Sequence, residues 1–295
     1  MNKNPFSLYD FLGYAIPGGV ALIFTWIVTH TEIYSLSNII TLDDELFALV
    51  SWNNILILVL ASYLIGHLIA FVSSLTIERF AVWNYRYPSR YLMQKEKPNI
   101  IRSSYFTKSV FWKMKAQAIW RLLLIVVLMP ISVLSLVLGR WLRLNNFVIK
   151  PFDNYMQEAV KAKTRALLNH LGLSKYNSNS HGYEDINRII YHYVYEKNER
   201  QAKKMDNYVA LYGFLRSISL IFVVLSHYLV YYGIKNLATI REFHTASYIL
   251  LLIAIACITY VFYLSFIKFY RRYTVEIFMS LVADEDLKVK KKNET

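Results

Sequence analysis

Apolar residues along the chain gather into four long blocks, and the stretches between them carry most of the charge. The blocks are Leu8–Val28, Ile55–Leu75, Ser217–Gly233 and Ala246–Ile267. Crossing the hydrocarbon core of a bilayer takes roughly 20 predominantly apolar residues in a helix. We therefore predict four transmembrane helices, of which the last is the clearest because it contains no charged residue.

The first block is predicted to be a retained helix rather than a cleaved signal peptide. Lys3 is the one basic residue ahead of it, and no small-x-small cleavage site follows it. The apolar region of a signal peptide is also shorter, about 7–15 residues.

A fifth apolar stretch, Leu122–Leu138, is short and contains Pro130. Proline removes a backbone donor and clashes with the preceding helical turn, so we expect a break there. The stretch is either a hairpin that returns to the same face of the membrane or a fifth span kinked at Pro130.

Basic residues in the loops predict the orientation, because positively charged loops stay in the cytoplasm. The loop from 29 to 54 contains four acidic residues and no Lys or Arg. Arg79–Arg121 contains 10 basic residues, Arg140–Arg216 contains 13, and the chain from Lys268 onward contains 7. Both termini and the region between the second and third spans are therefore expected in the cytoplasm.

The same distribution favours the hairpin. If Leu122–Leu138 crossed the membrane, the 13 basic residues after it would lie on the opposite side from the 10 before it. A re-entrant or in-plane hairpin over 120–141 leaves all three basic regions on one side.

Helical periodicity continues between the second and third spans. One helical pattern begins near Asp153. Another begins near Glu184 and continues, without a proline, into the third span. If it is unbroken to Gly233, it has about 50 residues and a length of roughly 75 Å. A kink near Asn198 or Gly213 is the alternative.

The expected fold class is all-α, because no series of alternating apolar and polar residues predicts a sheet. The chain divides into a first transmembrane helix pair (1–78), a basic cytoplasmic helical region with the hairpin (79–215), a second helix pair (216–267) and a basic tail (268–295).

Charge narrows the set of partners. The chain has 33 Lys and Arg against 20 Asp and Glu, a formal charge of +13. Basic loops beside membrane spans account for most of this excess, so we do not expect nucleic-acid binding. We expect the run Lys290–Lys292 to hold anionic lipids of the bilayer.

Motifs of catalysis and cofactor binding are missing from the sequence. It contains no GxxxxGK[ST], GxGxxG, HExxH or GxSxG, and its seven His are scattered. The single cysteine, Cys257, excludes an intrachain disulfide and a multi-cysteine metal site. We predict a non-enzymatic protein with no catalytic residue, cofactor or metal.

The segment Pro17-Gly18-Gly19 is the most distinctive part of the first span. Proline and glycine are poor helix formers, so one interpretation is a hinge or a pore-lining break. The other is close helix packing, which small residues permit.

Ionisable residues within spans are candidate functional residues. His67 lies in the middle of the second span, and His227 in the third span is a candidate partner for it.

Charges of both signs lie where the spans meet the cytoplasm. These are Asp10, Glu78, Arg79 and Arg216. We predict ion pairing between helix ends there rather than catalysis, and in particular a pair between Asp10 and Arg216.

Three segments together carry a resemblance. They are Tyr9-Asp10 followed by Pro17-Gly18, then Tyr63-Leu-Ile-Gly66-His67 running to Glu78, and Leu211–Ser217. They resemble uncharacterised bacterial multi-pass inner-membrane proteins with an N-terminal Asp-x6-Pro-Gly segment, some of which are associated with anti-phage defence genes. The resemblance implies a bacterial inner membrane and carries over no catalytic residues.

Two functions fit these features. The first is a non-enzymatic membrane effector or channel-like component, assembled as a homo-oligomer in a bacterial defence or stress response. The second is a membrane anchor or scaffold that recruits a cytoplasmic protein partner. Polar groups around a shared cavity would favour the first, and a dry bundle with an exposed apolar stripe on the helix from Glu184 to Met205 would favour the second.

The orientation can be tested by labelling single cysteines in a Cys257→Ser background in intact cells. Cysteines at Ser37 and Thr239 should react with a membrane-impermeant thiol reagent, whereas cysteines at Ser104 and Ser178 should not. Reaction at Ser178 but not at Ser104 would contradict the hairpin and make Leu122–Leu138 a true span.

Overall fold

The computed structural model of the protein describes residues 10–30, 52–93, 111–142, 144–173, 183–197, 199–237 and 245–287. Of these residues 91% are helical and none forms a β-strand. The all-α fold class is therefore confirmed. The basic run Lys290–Lys292 lies outside the described residues.

The described elements are α-helices interrupted by three π-helical turns. In chain order they are π1 (Phe11–Ala15), α1 (Ile16–His30), α2 (Trp52–Ser73), π2 (Ser74–Glu78), α3 (Arg79–Tyr85), α4 (Pro88–Leu92), α5 (Phe111–Val127), α6 (Met129–Leu134), π3 (Ser135–Trp141), α7 (Asn145–Val148), α8 (Asn154–His170), α9 (Tyr183–Lys197), α10 (Glu199–Leu237) and α11 (Thr245–Val282).

Four helical segments within the described residues are long and apolar enough to cross a membrane. They are π1 with α1, α2 with its continuation, α10 and α11. The chain is thus a multi-pass membrane protein with the four predicted spans. α10 lies at the centre of the bundle, since 56% of the residues in its most apolar part are buried. α2 lies at the edge, where 6% of the corresponding residues are buried.

α10 and α11 are longer than a membrane crossing requires. At 39 residues, α10 spans roughly 58 Å, about twice the thickness of the hydrocarbon core. The start of α10 and the end of α11 therefore extend beyond one end of the bundle. There they pack with α4, α8 and α9 around a core that includes Leu92, Val160, Ile190, Met205 and Phe278. We call this part the head.

Charged side chains of the head bind residues 284–287, the segment that directly follows α11. Lys163 Nζ donates a hydrogen bond to the Leu287 carbonyl at 2.9 Å, and Lys197 forms ion pairs with Asp284 and Asp286. Burial opposes ionisation of Asp284, but hydrogen bonds from Lys197 and Tyr193 hold the pKa of Asp284 below its usual value. The carboxylate therefore stays charged at neutral pH and keeps this segment in place.

The stretch from Glu184 to Gly233 is divided between two helices, so the alternative of an interruption near Asn198 describes it and the unbroken helix does not. α9 ends at Lys197, and the Tyr195 hydroxyl lies 3.3 Å from the Asp206 carboxylate near the start of α10. A straight helix would separate these two residues by roughly 16 Å along its axis. α9 and α10 therefore fold against each other, which adds a helix to the head instead of lengthening the span.

The fifth apolar stretch is a bent helix pair. The segments Ala118–Val127 and Met129–Gly139 meet at 90°. α6 begins at Met129 with Pro130 in its first turn, where the missing N–H of proline costs no helical hydrogen bond. The bend thus lies at the position that the proline predicts.

Both arms of this pair contact the same short helix, α3. The guanidinium of Arg121 on the entering arm lies 5.3 Å from the centre of the Trp83 ring. On the returning arm, Ser135 Oγ lies 3.3 Å from the Tyr85 hydroxyl. The pair therefore returns to the end of the bundle from which it entered.

A hydrogen bond beyond the bent pair supports the same path. The Phe152 N–H donates to the Leu92 carbonyl at 3.1 Å, so the chain leaves the head after α4 and rejoins it before α8. Between these points Leu124, Leu128 and Ile131 are buried against the bundle. These contacts support the hairpin that the loop charges favour.

The first two spans pack backbone against backbone at two glycines. A Cβ added to Gly18 would lie 1.7 Å from the Ser62 carbonyl oxygen, and one added to Gly66 would lie 1.9 Å from the Tyr14 carbonyl oxygen. At Gly19 the nearest atom would be Ser62 Oγ at 3.7 Å, an ordinary contact. Gly18 and Gly66, but not Gly19, are therefore required for this close approach.

The structure does not place a break at Pro17-Gly18-Gly19. α1 begins at Ile16 and runs through all three residues to His30. The irregular turn is π1, which comes just before them and ends with a bond from the Ile16 N–H to the Phe11 carbonyl. Pro17 lies just after π1, and the widened turn gives room for a proline ring that would clash with the preceding turn of a regular α-helix. Of the two interpretations, close packing describes Gly18.

Substituting these glycines separates the roles of adjacent residues. We expect Gly18→Ala and Gly66→Ala each to lower the free energy of unfolding by roughly 1–3 kcal/mol, since a methyl group there forces the helices apart. Gly19→Ala is the matched control and should be neutral or slightly stabilising, because alanine favours helix. Thermal unfolding in detergent measures all three. Equal stability of Gly18→Ala and Gly19→Ala would contradict the packing described.

Candidate functional site

A cavity of about 270 Å³ lies where π1, α2 and α10 meet. Its lining includes Gly13, Tyr14, His67, Phe71, Gly213 and Arg216. Imidazole, phenol and guanidinium groups thus surround one space inside a largely apolar bundle. Since polar and ionisable groups at membrane depth are costly, their clustering indicates a functional site.

Two tyrosines position the imidazole of His67. The Tyr14 ring stacks on it with centroids 3.7 Å apart and planes at 20°. The Tyr63 ring meets it edge-on, with centroids 4.6 Å apart. Gly66, beside His67, touches the Tyr14 backbone, so the same close approach that packs the helices also brings these rings together.

Arg216, on α10, is held by three groups of the second span. Its guanidinium forms an ion pair with Glu78, and its Nε donates to Ser73 Oγ at 3.1 Å. A weaker bond joins Nη2 to the Ala70 carbonyl at 3.4 Å. The Arg216 and Glu78 side chains are 13% and 26% exposed, so both charges are largely removed from solvent and each depends on the other.

A small hydroxyl pair extends this network. Ser73 Oγ donates to the Ala70 carbonyl at 2.9 Å and lies 3.5 Å from Ser217 Oγ. Both serines are fully buried. Their hydroxyls satisfy polar groups that the apolar bundle would otherwise leave without hydrogen bonds.

Glycine keeps the cavity open on two sides. A Cβ added to Gly13 or to Gly213 would meet no atom within 4 Å. Because both residues line the cavity, a larger side chain at either position would project into it without striking the backbone of a neighbouring helix.

Two π-helical turns flank the site. π1 contributes Gly13 and Tyr14, and π2 ends at Glu78, the partner of Arg216. A π turn accommodates one more residue than an α turn and occurs frequently at functional sites. Here the turns re-aim the chain so that a cavity-lining tyrosine and a charge-compensating carboxylate both face α10.

The predicted interface charges do not all meet. Arg216 is directed to Glu78 rather than to Asp10, which precedes π1 and does not cap it. Arg79 begins α3 and is exposed, and no ion pair joins it to another described residue. The ion pair between helix ends is therefore formed by the second and third spans.

The two predicted intramembrane histidines are not partners. His67 contacts the rings of Tyr14 and Tyr63. His227 Nδ1 lies 2.9 Å from the Val223 carbonyl of its own helix, as a local bond to the preceding turn. His67 belongs to the cavity and His227 does not.

Tyr14, Ser73 and Gly213 were missed as site residues by reasoning from the sequence. All three lie within the stretches Asp10–Gly18, Tyr63–Glu78 and Leu211–Ser217, which the structure brings together around the cavity. Ser73 gives no sequence signal of its own, because serine is common near the ends of spans.

The side chains that line the cavity can bind a small polar species. No group of three or more His, Cys, Asp or Glu that could hold a metal occurs among the described residues. The cavity offers the guanidinium of Arg216, the imidazole of His67 and the phenol of Tyr14. It is suited to hold or pass a small polar species.

Comparison with known protein families, characterised proteins and solved structures gives no match for this chain.

A double-mutant cycle tests the ion pair at the cavity. We expect Glu78→Gln and Arg216→Gln each to lower the free energy of unfolding by roughly 2 kcal/mol, less than a fully buried pair costs, since each leaves one charge without its partner. The double mutant should lose clearly less than the sum. Thermal unfolding in detergent gives the four values.

Asp10→Asn is the comparison variant for this cycle. Because Arg216 is directed to Glu78, the effects of Asp10→Asn and Arg216→Gln should add. Additivity between Glu78→Gln and Arg216→Gln, or strong coupling of Arg216 to Asp10, would show that the pair is assigned wrongly.

Proposed function

We propose that this chain is a non-enzymatic membrane effector that forms a homo-oligomeric, channel-like assembly in the bacterial inner membrane, as part of a defence or stress response. The observation that carries the proposal is the polar cavity lined by Tyr14, His67 and Arg216 inside an apolar bundle. This is the feature that distinguishes a conducting component from an inert anchor.

The cavity lies beside the least buried span, which supports assembly from several copies. α2 exposes a series of large apolar side chains that includes Leu60, Leu64, Leu68 and Phe71. Phe71 also lines the cavity, and His67 is exposed on the same helix. A second copy packed on this face would cover the apolar residues and enclose the polar ones.

The irregular helices beside the cavity support gating. Non-helical or widened backbone at membrane depth occurs where it lines a cavity or is buried in protein. π1 carries Gly13 and Tyr14, and π2 carries Glu78. Conversion of either turn to a regular α turn would rotate the residues that follow it, and so change the shape of the cavity.

The basic head is proposed to lie in the cytoplasm, which places both termini there. The head contains the start of α10 and the end of α11. These regions are rich in basic residues, which predicts that they lie in the cytoplasm. In this orientation the open cavity faces the cytoplasmic half of the membrane, where Arg216 and Glu78 mark the interface.

The feature that would favour the scaffold function is not found in the described residues. That feature is an exposed apolar stripe on the helix from Glu184 to Met205. In the structure that segment is two helices, and Ile186, Ile190 and Val194 are buried in the core of the head. The described part of α9 therefore presents no apolar stripe for a partner.

Filling the cavity should abolish conduction without unfolding the protein. We expect overproduced wild type to depolarise bacterial cells, as followed with a membrane-potential dye. Gly213→Leu should reduce the depolarisation by about tenfold or more, because its side chain occupies the cavity, while leucine favours the helix. Gly19→Ala is the control, since Gly19 lies outside the cavity and should leave depolarisation unchanged.

Purified protein in vesicles of anionic lipid provides the second measurement. Wild type should release a trapped ion, and Gly213→Leu should not. If neither protein changes the potential in cells or the flux in vesicles, and a cytoplasmic protein co-purifies with both, the scaffold function replaces this one.

A further inference from the structure

A second pocket, of about 280 Å³, lies in the head and is built largely from tyrosine rings. It opens between α4, α9 and α11, and its lining includes Tyr87, Asn187, Arg188, Tyr191, Tyr270 and Tyr273. It is separate from the intramembrane cavity and shares no lining residue with it. Neither the packing of the spans nor the proposed conduction requires it.

The aromatic walls of this pocket are fixed by contacts among the rings. The centroids of Tyr191 and Tyr273 are 6.2 Å apart, and Tyr273 in turn packs on Tyr212 with centroids 5.8 Å apart. Tyr212 also contacts Tyr270 at 5.1 Å. Rings held in this way offer a preformed surface on which a planar group can stack.

The backbone at the mouth of the pocket is in an unusual conformation. Arg86, which precedes Tyr87, has φ 69° and ψ 173°, a region that is essentially confined to glycine. Its conformation turns the chain sharply between α3 and α4 and places Tyr87 and Pro88 against α11. Such backbone persists where the surrounding structure enforces it, and it clusters at binding sites.

Polar groups at the rim favour an anion. Arg188 is 77% exposed in its side chain, and its ion pair with Asp185 is long at 4.0 Å. The guanidinium is therefore available to turn toward a negatively charged ligand at little cost. Arginine binds phosphate with two parallel hydrogen bonds, which makes it the residue best suited to this role.

The tyrosines do not oppose such a ligand. Burial raises the pKa of Tyr191, and the nearby Tyr195 and Asp206 raise it further. The phenol is therefore neutral at physiological pH and can donate a hydrogen bond. The pocket thus combines neutral aromatic faces with a cation at its rim.

We propose that this pocket binds a planar aromatic anion of the size of a nucleoside monophosphate. The ring stacks against Tyr191 and Tyr273, and the phosphate is bound by Arg188. The proposal concerns binding alone and does not depend on the proposed conduction.

Equilibrium binding to the full chain in detergent tests the proposal, with AMP, GMP, CMP and UMP as probes. At least one of them should bind saturably. Adenosine and ribose 5-phosphate, which carry the ring or the phosphate alone, should each bind at least about tenfold more weakly than AMP if AMP is bound.

Two variants separate the contributions of charge and ring. Arg188→Gln should weaken nucleotide binding about tenfold and leave adenosine binding unchanged. Tyr191→Ala should weaken both about tenfold through lost stacking, and Tyr191→Phe should retain most of the affinity. Lys203→Gln and Tyr155→Ala are the matched controls, because these residues are highly exposed in the head, outside the pocket.

Three results would overturn the proposal. The first is the absence of saturable binding for all four nucleotides. The second is equal affinity of AMP and ribose 5-phosphate, which would show that the rings do not contribute. The third is an Arg188→Gln variant that binds like Lys203→Gln. Arg188 lies at the surface, so this last comparison stands even if Tyr191→Ala does not fold.

Discussion

The close approach of the first two spans at Gly18 and Gly66 is the constraint on which the intramembrane site depends. A side chain at either glycine would collide with the backbone of the facing helix. Backbones that touch fix both the separation and the rotation of the two helices. That rotation stacks Tyr14 on His67 and turns Gly13 toward α10, where the cavity opens. The backbone contact between the two helices therefore positions the polar groups, and the contacts among these groups result from it.

The burial of Arg216 requires a charged partner at the same level along the second span. Ser73 is the last residue of α2, and Glu78 lies one π turn further along. Arg216 bonds both, so the widened turn lets one guanidinium reach a hydroxyl and a carboxylate that are five residues apart. The irregular backbone thus serves charge compensation, since an unpaired arginine at this depth would be strongly destabilising. In the same way, π1 accommodates Pro17 while it presents Tyr14.

The sequence was sufficient for the four spans and for the bend at Pro130, because the length of an apolar block and a proline within it are direct signals. It also identified His67, Arg216 and Glu78, since ionisable residues in apolar blocks are rare. Gly18 and Gly19 could not be told apart, because their difference lies in helix rotation. An interruption near Asn198 was one alternative, but the reversal between α9 and α10 was not predicted, because no Pro or Gly marks it. π turns depend on tertiary contacts and have no compositional signature.

α10 connects the two halves of the molecule without interruption. Tyr212 on this helix packs against Tyr270 and Tyr273 of the head pocket. The next residue, Gly213, lines the intramembrane cavity, and Arg216 lies one turn beyond it. The wall of the head pocket and the wall of the intramembrane cavity therefore share one continuous helix, with Tyr212 packed on the first and Gly213 lining the second.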